Sequence, residues 1–324
     1  MAYDDYLKLR TWSLDGSRTE HITEKVIAKT WSGSYKDCSR KLTFEVLPDA
    51  LTELGGMVRL YLGPEILFSG HVRRRQRVTS EQRVSCTAYD RGIFLKKNFV
   101  YRAVRKQTPE AVTAQLCGEF GIPCGALAAT GVPLDRNFLG SSLYQVIQTL
   151  YTLAAEQTGK KYQIRFRSNH LEVVEKAAVG LVRLEPGVNL ISCTAADSTE
   201  DLLTSVAIYS DDFKVQETVD SPARPLYGLM QQAIKASSSE DPKKTAGEIL
   251  KDHGLTTTIH CECLGDTRLI TGNAVTVHEP ETGLDGLFWI TADSHSTPHG
   301  IYKTSLTLDF RDLMDSQSAG SKPK

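Results

Sequence analysis

The sequence of 324 residues has little of what would assign it at a glance. It has no charge excess: 38 Lys and Arg against 39 Asp and Glu leave a formal net charge of −1. A protein that grips nucleic acid through phosphates would carry a basic surplus, so that class is disfavoured. No stretch approaches the ~18 consecutive apolar residues a membrane-spanning helix needs. There is no GxSxG elbow, no phosphate-cradling GxxxxGK[ST] loop and no HExxH pair. Three tryptophans, Trp12, Trp31 and Trp289, leave little material for the aromatic platform of a carbohydrate binder. The opening residues Met1-Ala2-Tyr3-Asp4-Asp5-Tyr6-Leu7 have neither a basic segment nor an apolar one, so no secretory signal is expected. Cysteine is present at Cys38, Cys86, Cys117, Cys124, Cys193, Cys261 and Cys263. An odd number without a signal predicts reduced thiols and cytosolic synthesis.

What is there is ordinary globular material, 40% hydrophobic and 24% charged, long enough for two or three domains. The first hundred residues read as strands. Leu42, Phe44 and Val46 share one face of a period-two pattern, as do Val58, Leu60 and Leu62, and then Val84, Cys86 and Ala88. Gly33, Gly55-Gly56, Gly63-Pro64 and Gly70 punctuate them, which suggests a small barrel or sandwich.

The middle changes character. Thr108-Pro109-Glu110 has the cap hydroxyl, first-turn proline and early acid of a helix start. Val112, Leu116 and Phe120 then recur every fourth residue up to Gly121. A second helix is predicted from Ser141 to Gln157, with Val146, Leu150 and Leu153 on one face and Gly159 just beyond. Ser168-Asn169-His170 sits between two alternating stretches like a hairpin turn.

Strand signals return at Leu202–Tyr209. A polar, Pro-rich stretch follows, and Ser237 to Pro242 caps a short helix ending near Gly254. Four more alternating stretches are predicted at Thr256–Cys263, Ala274–Val277, Leu287–Thr291 and Thr304–Phe310. The polar residues from Met314 to Lys324 read as a frayed tail. The last strands echo the first: Phe68 and Tyr89 are spaced like Phe288 and Asp309. Any two β-meanders share such features; the sharper reading is two related barrels with the helical segment between them.

Candidate chemistry is sparse. His295 and His299 are close in sequence but separated by Pro298. His260-Cys261-Glu262-Cys263 is the densest ligand-type cluster, yet C-x-C without a second pair is a poor zinc site, and buried cysteines are the simpler reading. Cys117 and Cys124 flank a helix end. The run Arg73-Arg74-Arg75-Gln76-Arg77, on a strand, would place Arg73, Arg75 and Arg77 on one face, as a solvated surface or a protein interface. Asp211-Asp212 and Glu185 have no apolar setting that would tune a general acid. No catalytic, cofactor-binding or metal-ligating residue is assigned.

The order of motifs says more. Trp31-Ser32-Gly33-Ser34, Arg40-Lys41-Leu42-Thr43-Phe44, Leu67-Phe68-Ser69-Gly70 and Tyr89-Asp90-Arg91-Gly92 come first. Leu95-Lys96-Lys97-Asn98, Phe120-Gly121-Ile122, Gly140-Ser141-Ser142, Gly159-Lys160-Lys161-Tyr162, Glu200-Asp201, Val206-Ala207-Ile208-Tyr209 and Tyr227-Gly228 follow. From about residue 25 to 310 this series resembles the XkdQ/YqbQ-like phage tail proteins, which resemble the baseplate hubs of contractile tails.

The resemblance implies an α+β, mainly β fold. Two tube-like antiparallel β-barrels (residues 1–100 and 179–313, the second with a short helix near 242–253) would flank a helix-plus-hairpin module (101–178), with a flexible tail (314–324). It implies a structural role without cofactor or turnover; the alternative is another tail-associated binding protein or a cell-wall hydrolase. A homotrimer would form a pseudo-sixfold ring joining a hexameric tail tube, or a tube initiator, to a trimeric spike carried by a separate chain. Other baseplate and LysM-type tail proteins and a tape-measure protein would be further partners. The setting would be the tail baseplate of a phage or phage-derived particle assembled in a bacterial cytoplasm. A channel that DNA or a tape measure traverses should not grip phosphate, so a neutral to acidic wall is expected, with Arg73 to Arg77 turned away from it.

Overall fold

A computed structural model describes residues 7–78, 80–167, 169–236 and 241–323. It divides into two compact units. One runs to Cys193 and resumes at His260; the other is Thr194–Ile259.

The larger unit begins with strands β1 (Leu7–Trp12), β2 (Thr19–His21), β3 (Val26–Ser34), β4 (Lys41–Val46), β5 (Met57–Leu62), β6 (Glu65–Arg77) and β7 (Val84–Asp90). The alternation read from the sequence sets their inward faces: Leu42, Phe44, Val46, Val58, Leu60, Val84, Cys86 and Ala88 are all buried. With Leu9, Trp31, Phe68 and Val72 they make one hydrophobic core.

The chain then forms α1 (Gly92–Lys97), β8 (Phe99–Gln107), α2 (Pro109–Glu119), β9 (Cys124–Leu127), β10 (Leu134–Ser142), α3 (Leu143–Thr158), β11 (Tyr162–Arg167) and β12 (His170–Glu175). Thr108 caps α2, its hydroxyl accepting from the Ala111 amide, with Pro109 in the first turn. Ser142 and Gln145 form a capping box on α3, and Gly159 ends it at φ 71°. These helices bury Val112, Leu116, Val146, Ile147, Leu150 and Tyr151 in a second core with Tyr162, Leu171 and Val173. The module is more than two helices and a hairpin, because β8 and β10 pair antiparallel within it.

Next come β13 (Gly180–Leu184) and β14 (Leu190–Ser198), then β15 (Ser205–Tyr209), β16 (Val215–Asp220), α4 (Arg224–Tyr227), β17 (Gln231–Lys235) and α5 (Pro242–Asp252). The chain ends with β18 (Thr256–Leu264), β19 (Ala274–Glu279), β20 (Leu284–Ser296) and β21 (Lys303–Asp309). In the smaller unit β15 lies between antiparallel β16 and parallel β17, and Val206, Ile208 and Ala246 of α5 form its core. Asp241 caps α5 through the Lys243 amide, while Ser237 to Glu240 of the expected cap lie outside the described residues.

The strands do not fall into two separate sheets. A 13-stranded sheet runs β14-β18-β21-β20-β3-β4-β7-β6-β5-β1-β2, with β19 and β13 branching from β20. Among the described residues no further ladder closes either half. Nor do the boundaries expected at residues 100 and 178 separate compact units; the excursion at Thr194–Ile259 does. The tail expected to fray is instead held against the helical module. Tyr144 donates to Asp315, the Gln148 amide to the Asp315 carbonyl, Arg136 Nε to the Ala319 carbonyl at 2.9 Å, and Asn137 bridges Ser321. Its polar composition supplies partners for the polar face of α3 and β10.

Candidate functional site

The sequence motifs converge where β3 meets β20. This antiparallel ladder pairs Ser34 with Ala292, Gly33 with Asp293, Ser32 with Ser294, Trp31 with His295 and Thr30 with Ser296. It joins the N-terminal strands to the C-terminal ones. At its centre is Asp293, whose side chain is fully enclosed. Arg40, just before β4, grips it through both terminal guanidinium nitrogens, one at 3.0 Å. The same guanidinium lies over the Trp31 ring, 4.0 Å from its centre. The Thr271 amide donates to Asp293 at 2.6 Å, and the Thr271 hydroxyl donates to the same oxygen. His295 Nε2 stands 3.2 Å from the other oxygen without hydrogen-bond alignment, while its Nδ1 meets the Tyr302 hydroxyl at 2.8 Å and the Thr304 hydroxyl at 3.1 Å. Burial works to raise the Asp293 carboxyl, but Arg40 and His295 outweigh it and hold it well below the usual carboxylate range.

Asp90 fixes the other side of Arg40. It accepts from the Arg40 amide (3.0 Å), the Ser39 hydroxyl (3.0 Å) and the Gly92 amide (2.9 Å). Burial raises its carboxyl to about 6 against the pull of these donors. Gly92 has no alternative here, since a Cβ would run into the Cys38 carbonyl; a Cβ at Gly70 would meet that of Tyr89. The Trp31-Ser32-Gly33, Arg40, Phe68-Ser69-Gly70 and Tyr89-Asp90-Arg91-Gly92 motifs are therefore parts of one strand junction. Its carboxylates are enclosed and bonded to the strands on both sides, which suits holding two strands together, while Trp31, Arg40 and Asp90 also line an open cleft of about 720 Å³.

The remaining candidates do not assemble. His295 belongs to the junction, whereas His299 lies in an exposed 3-10 turn with φ 52°. His260 is exposed beside Thr307, and Glu262 pairs with Lys303. Cys263 is buried, its thiol pushed up to about 12 by burial. Cys261 corrects the expectation that every cysteine is a thiol: it is bonded to Cys193, with Cα atoms 4.2 Å apart. The two are 68 residues apart in sequence, and only the pairing of β14 with β18 brings them face to face. Cys117 and Cys124 are not bonded, and burial with the adjacent Cys124 thiol pushes Cys117 up to about 12. Asp211 and Asp212 hold Lys235 and Lys214 on the surface, and Glu185 holds Arg183. Among the described residues no three His, Cys, Asp or Glu side chains gather as metal ligands.

The arginine run lies on β6 but not in simple alternation. The β6–β7 register shifts between Val72 and Arg74. Arg75 and Arg77 consequently stand opposite Cys86 and Val84, while Arg73 falls at the shift, 5.5 Å from the Phe94 ring centre.

Comparison with known proteins places this architecture. The YqbQ-like family profile matches residues 29–309. The chain belongs to the YqbQ-like family. The uncharacterized protein YqbQ of Bacillus subtilis is 25% identical over 305 residues, covering 87% of this chain and 86% of that one. The phage-like element PBSX protein XkdQ of the same organism is 23% identical over 248 residues, 71% and 73% of the two chains. Among solved structures, the 43 kDa tail protein of prophage MuSo2 from Shewanella oneidensis superposes with a TM-score of 0.67 at 15% identity, covering 95% of this chain and all of that one. A component of the Escherichia coli type VI secretion system, described as structurally similar to bacteriophage T4 tail proteins, gives 0.54 at 12% identity, covering 93% and 76%. The fold of this YqbQ-like chain is that of phage tail proteins, mainly β with few helices. No helix among the described residues is long and apolar enough to cross a membrane.

Proposed function

We propose that this chain is the baseplate hub of a contractile phage tail or phage-derived particle. Three copies would form a pseudo-hexameric ring that joins a hexameric tail tube to a trimeric spike. The observation that carries the reading is a repeated strand plan. In sheet order, β5-β6-β7-β4-β3 matches β19-β20-β21-β18-β14. The matched strands have lengths of 6 and 6, 13 and 13, and 7 and 7 residues for the first three pairs, and β3 and β14 are both 9. Each long strand also breaks register with its neighbour, β6 between Val72 and Arg74 and β20 between Ile290 and Ala292. A chain that carries one plan twice offers six similar positions from three copies, which is what a joint between sixfold and threefold partners requires.

The chain then works by holding geometry, with no cofactor. The nearest thing to a catalytic constellation, Asp293, His295 and Tyr302, is enclosed and packed into the junction. The tube or its initiator, the spike, a tape-measure protein and other baseplate and LysM-type tail proteins are the partners this reading requires. A cryo-electron microscopy map of the assembled particle tests it. The two strand sets of each chain should superpose by a rotation of about 60° around a threefold axis. A single copy, or a position off the central axis, would defeat the hub.

A further inference from the structure

The repeated plan is complete on one side and unfinished on the other. In the first set β3 has two neighbours, β4 and the second set's β20. Among the described residues its counterpart β14 has one, β18, and ends the sheet path. Likewise β20 is bordered by β19 along its first half and by β3 along its second. Its counterpart β6 is bordered by β5 as far as His71 and by Gly55 and Gly56 at Val72, and among the described residues Arg74–Arg77 is paired with β7 alone. One ladder is missing, and its two free edges lie on the two strands that would form it. Unpaired edges of this kind are templates for a second chain.

We propose that β14 of one copy pairs antiparallel with Arg74–Arg77 of β6 in a second copy, repeating between chains the β3–β20 ladder made within each. The proposal rests on the hub reading and names the interface that would close its ring.

The register follows from the match. Aligning the two register shifts sets Arg74, Arg75 and Gln76 against Ala292, Asp293 and Ser294. The buried residues of β4 (Leu42, Phe44, Val46) match those of β18 (Ile259, Cys261, Cys263). Lys29 faces Phe44, and the disulfide holds Cys193 to Cys261, so β14 follows β3 with Asp197 in the place of Gly33 and Ala196 in that of Ser32. Since Gly33 faces Asp293 and Ser32 faces Ser294 within the chain, Asp197 would face Arg75 of the second copy and Ala196 would face Gln76.

Charge supports this pairing. Arg75 Nε is buried without a hydrogen-bond partner in the single chain. Asp197 accepts from the Thr257 hydroxyl at 2.6 Å, which leaves its second oxygen available. Opposite charges set directly across a ladder stabilise it, and like charges would reject a wrong register. The arginine run would thereby be used at an interface.

Two singly substituted full-length chains test the register, Gln76→Cys and Ala196→Cys, each also carrying Cys124→Ser to remove the exposed native thiol. Mixed at tens of micromolar and mildly oxidised, they should give a disulfide-linked pair on a non-reducing gel, and neither should do so alone. In parallel, Arg75→Asp and Asp197→Arg should each raise the concentration needed for the trimer at least tenfold by sedimentation, and the double exchange should restore it. A trimer that forms without the mixed cross-link and ignores both reversals overturns the ladder while leaving the hub standing. A chain that stays monomeric and yields no cross-link overturns both.

Discussion

Replacing Asp293 by alanine should remove the anion around which the β3–β20 joint is built. The side chain is fully enclosed, and Arg40, whose own side chain is 18% exposed, grips both of its oxygens. Without Asp293 the guanidinium loses its counterion and the Thr271 amide its acceptor. Deleting one member of a buried ion pair costs about 3–5 kcal/mol, because the remaining charge is uncompensated. An orphaned buried donor costs about 1–3 kcal/mol more. Water reaching the exposed part of Arg40 returns some of this, so we expect a net loss of about 3–5 kcal/mol. The exchange of both residues, Arg40→Met with Asp293→Leu, should cost clearly less than the sum of the single changes, since it leaves no lone charge behind. Urea unfolding at pH 7, followed by tryptophan fluorescence, reads this out. Trp31 lies 4.0 Å from the Arg40 guanidinium and 4.7 Å from the His295 ring, so its emission reports the joint directly. A loss under about 1 kcal/mol for Asp293→Ala, or single costs that simply add, would refute the assignment of the joint to this ion pair.

Other expectations concern the same framework. Because folding raises the Asp90 carboxyl to about 6, the native state binds its proton more tightly than the unfolded chain, so stability should fall as pH rises from about 4 to 6. Comparison with Asp90→Asn isolates this contribution, of order 1–3 kcal/mol; a difference that does not change with pH counts against it. The depressed carboxyl of Asp293 acts in the opposite sense, its contribution being present at neutral pH and lost only in acid below about 4. Thiol titration of unfolded but unreduced protein should count five groups, and a count of seven would show Cys193 and Cys261 unbonded. Gly70→Ala should cost about 2 kcal/mol or more, since the added methyl group meets the Tyr89 backbone; an unchanged urea midpoint would mean the strands yield there easily.

Where burial follows hydrophobicity, the sequence was legible. Leu42, Phe44 and Val46 alternate, and they are the inward face of β4. Thr108-Pro109 and Gly159 mark helix ends because capping chemistry is local. Other features were hidden because they depend on contacts distant in the chain. The strand expected at Leu287–Thr291 runs on to Ser296, since its second half is held by β3 rather than by its own apolar pattern. The Cys193–Cys261 bond depends on a strand pairing across the whole excursion Thr194–Ile259.

The place where alternation failed is informative in itself. Along β20 the inward positions after Ile290 are Asp293 and His295, both buried and both polar. Read by hydropathy they end the strand; read by structure they are its most constrained part, because Arg40 and Thr271 bond the Asp293 carboxylate and Tyr302 bonds His295 Nδ1. A joint between two strand sets has little apolar surface to offer, so backbone pairing and ionic contacts specify it, and such contacts fix register because a one-residue slip strands a buried charge. The arginine run of β6 ends its own apolar pattern at the matching point, just after its register shift. Within one chain the charged half-strand has its partner. The same physics gives the other a reason to seek one.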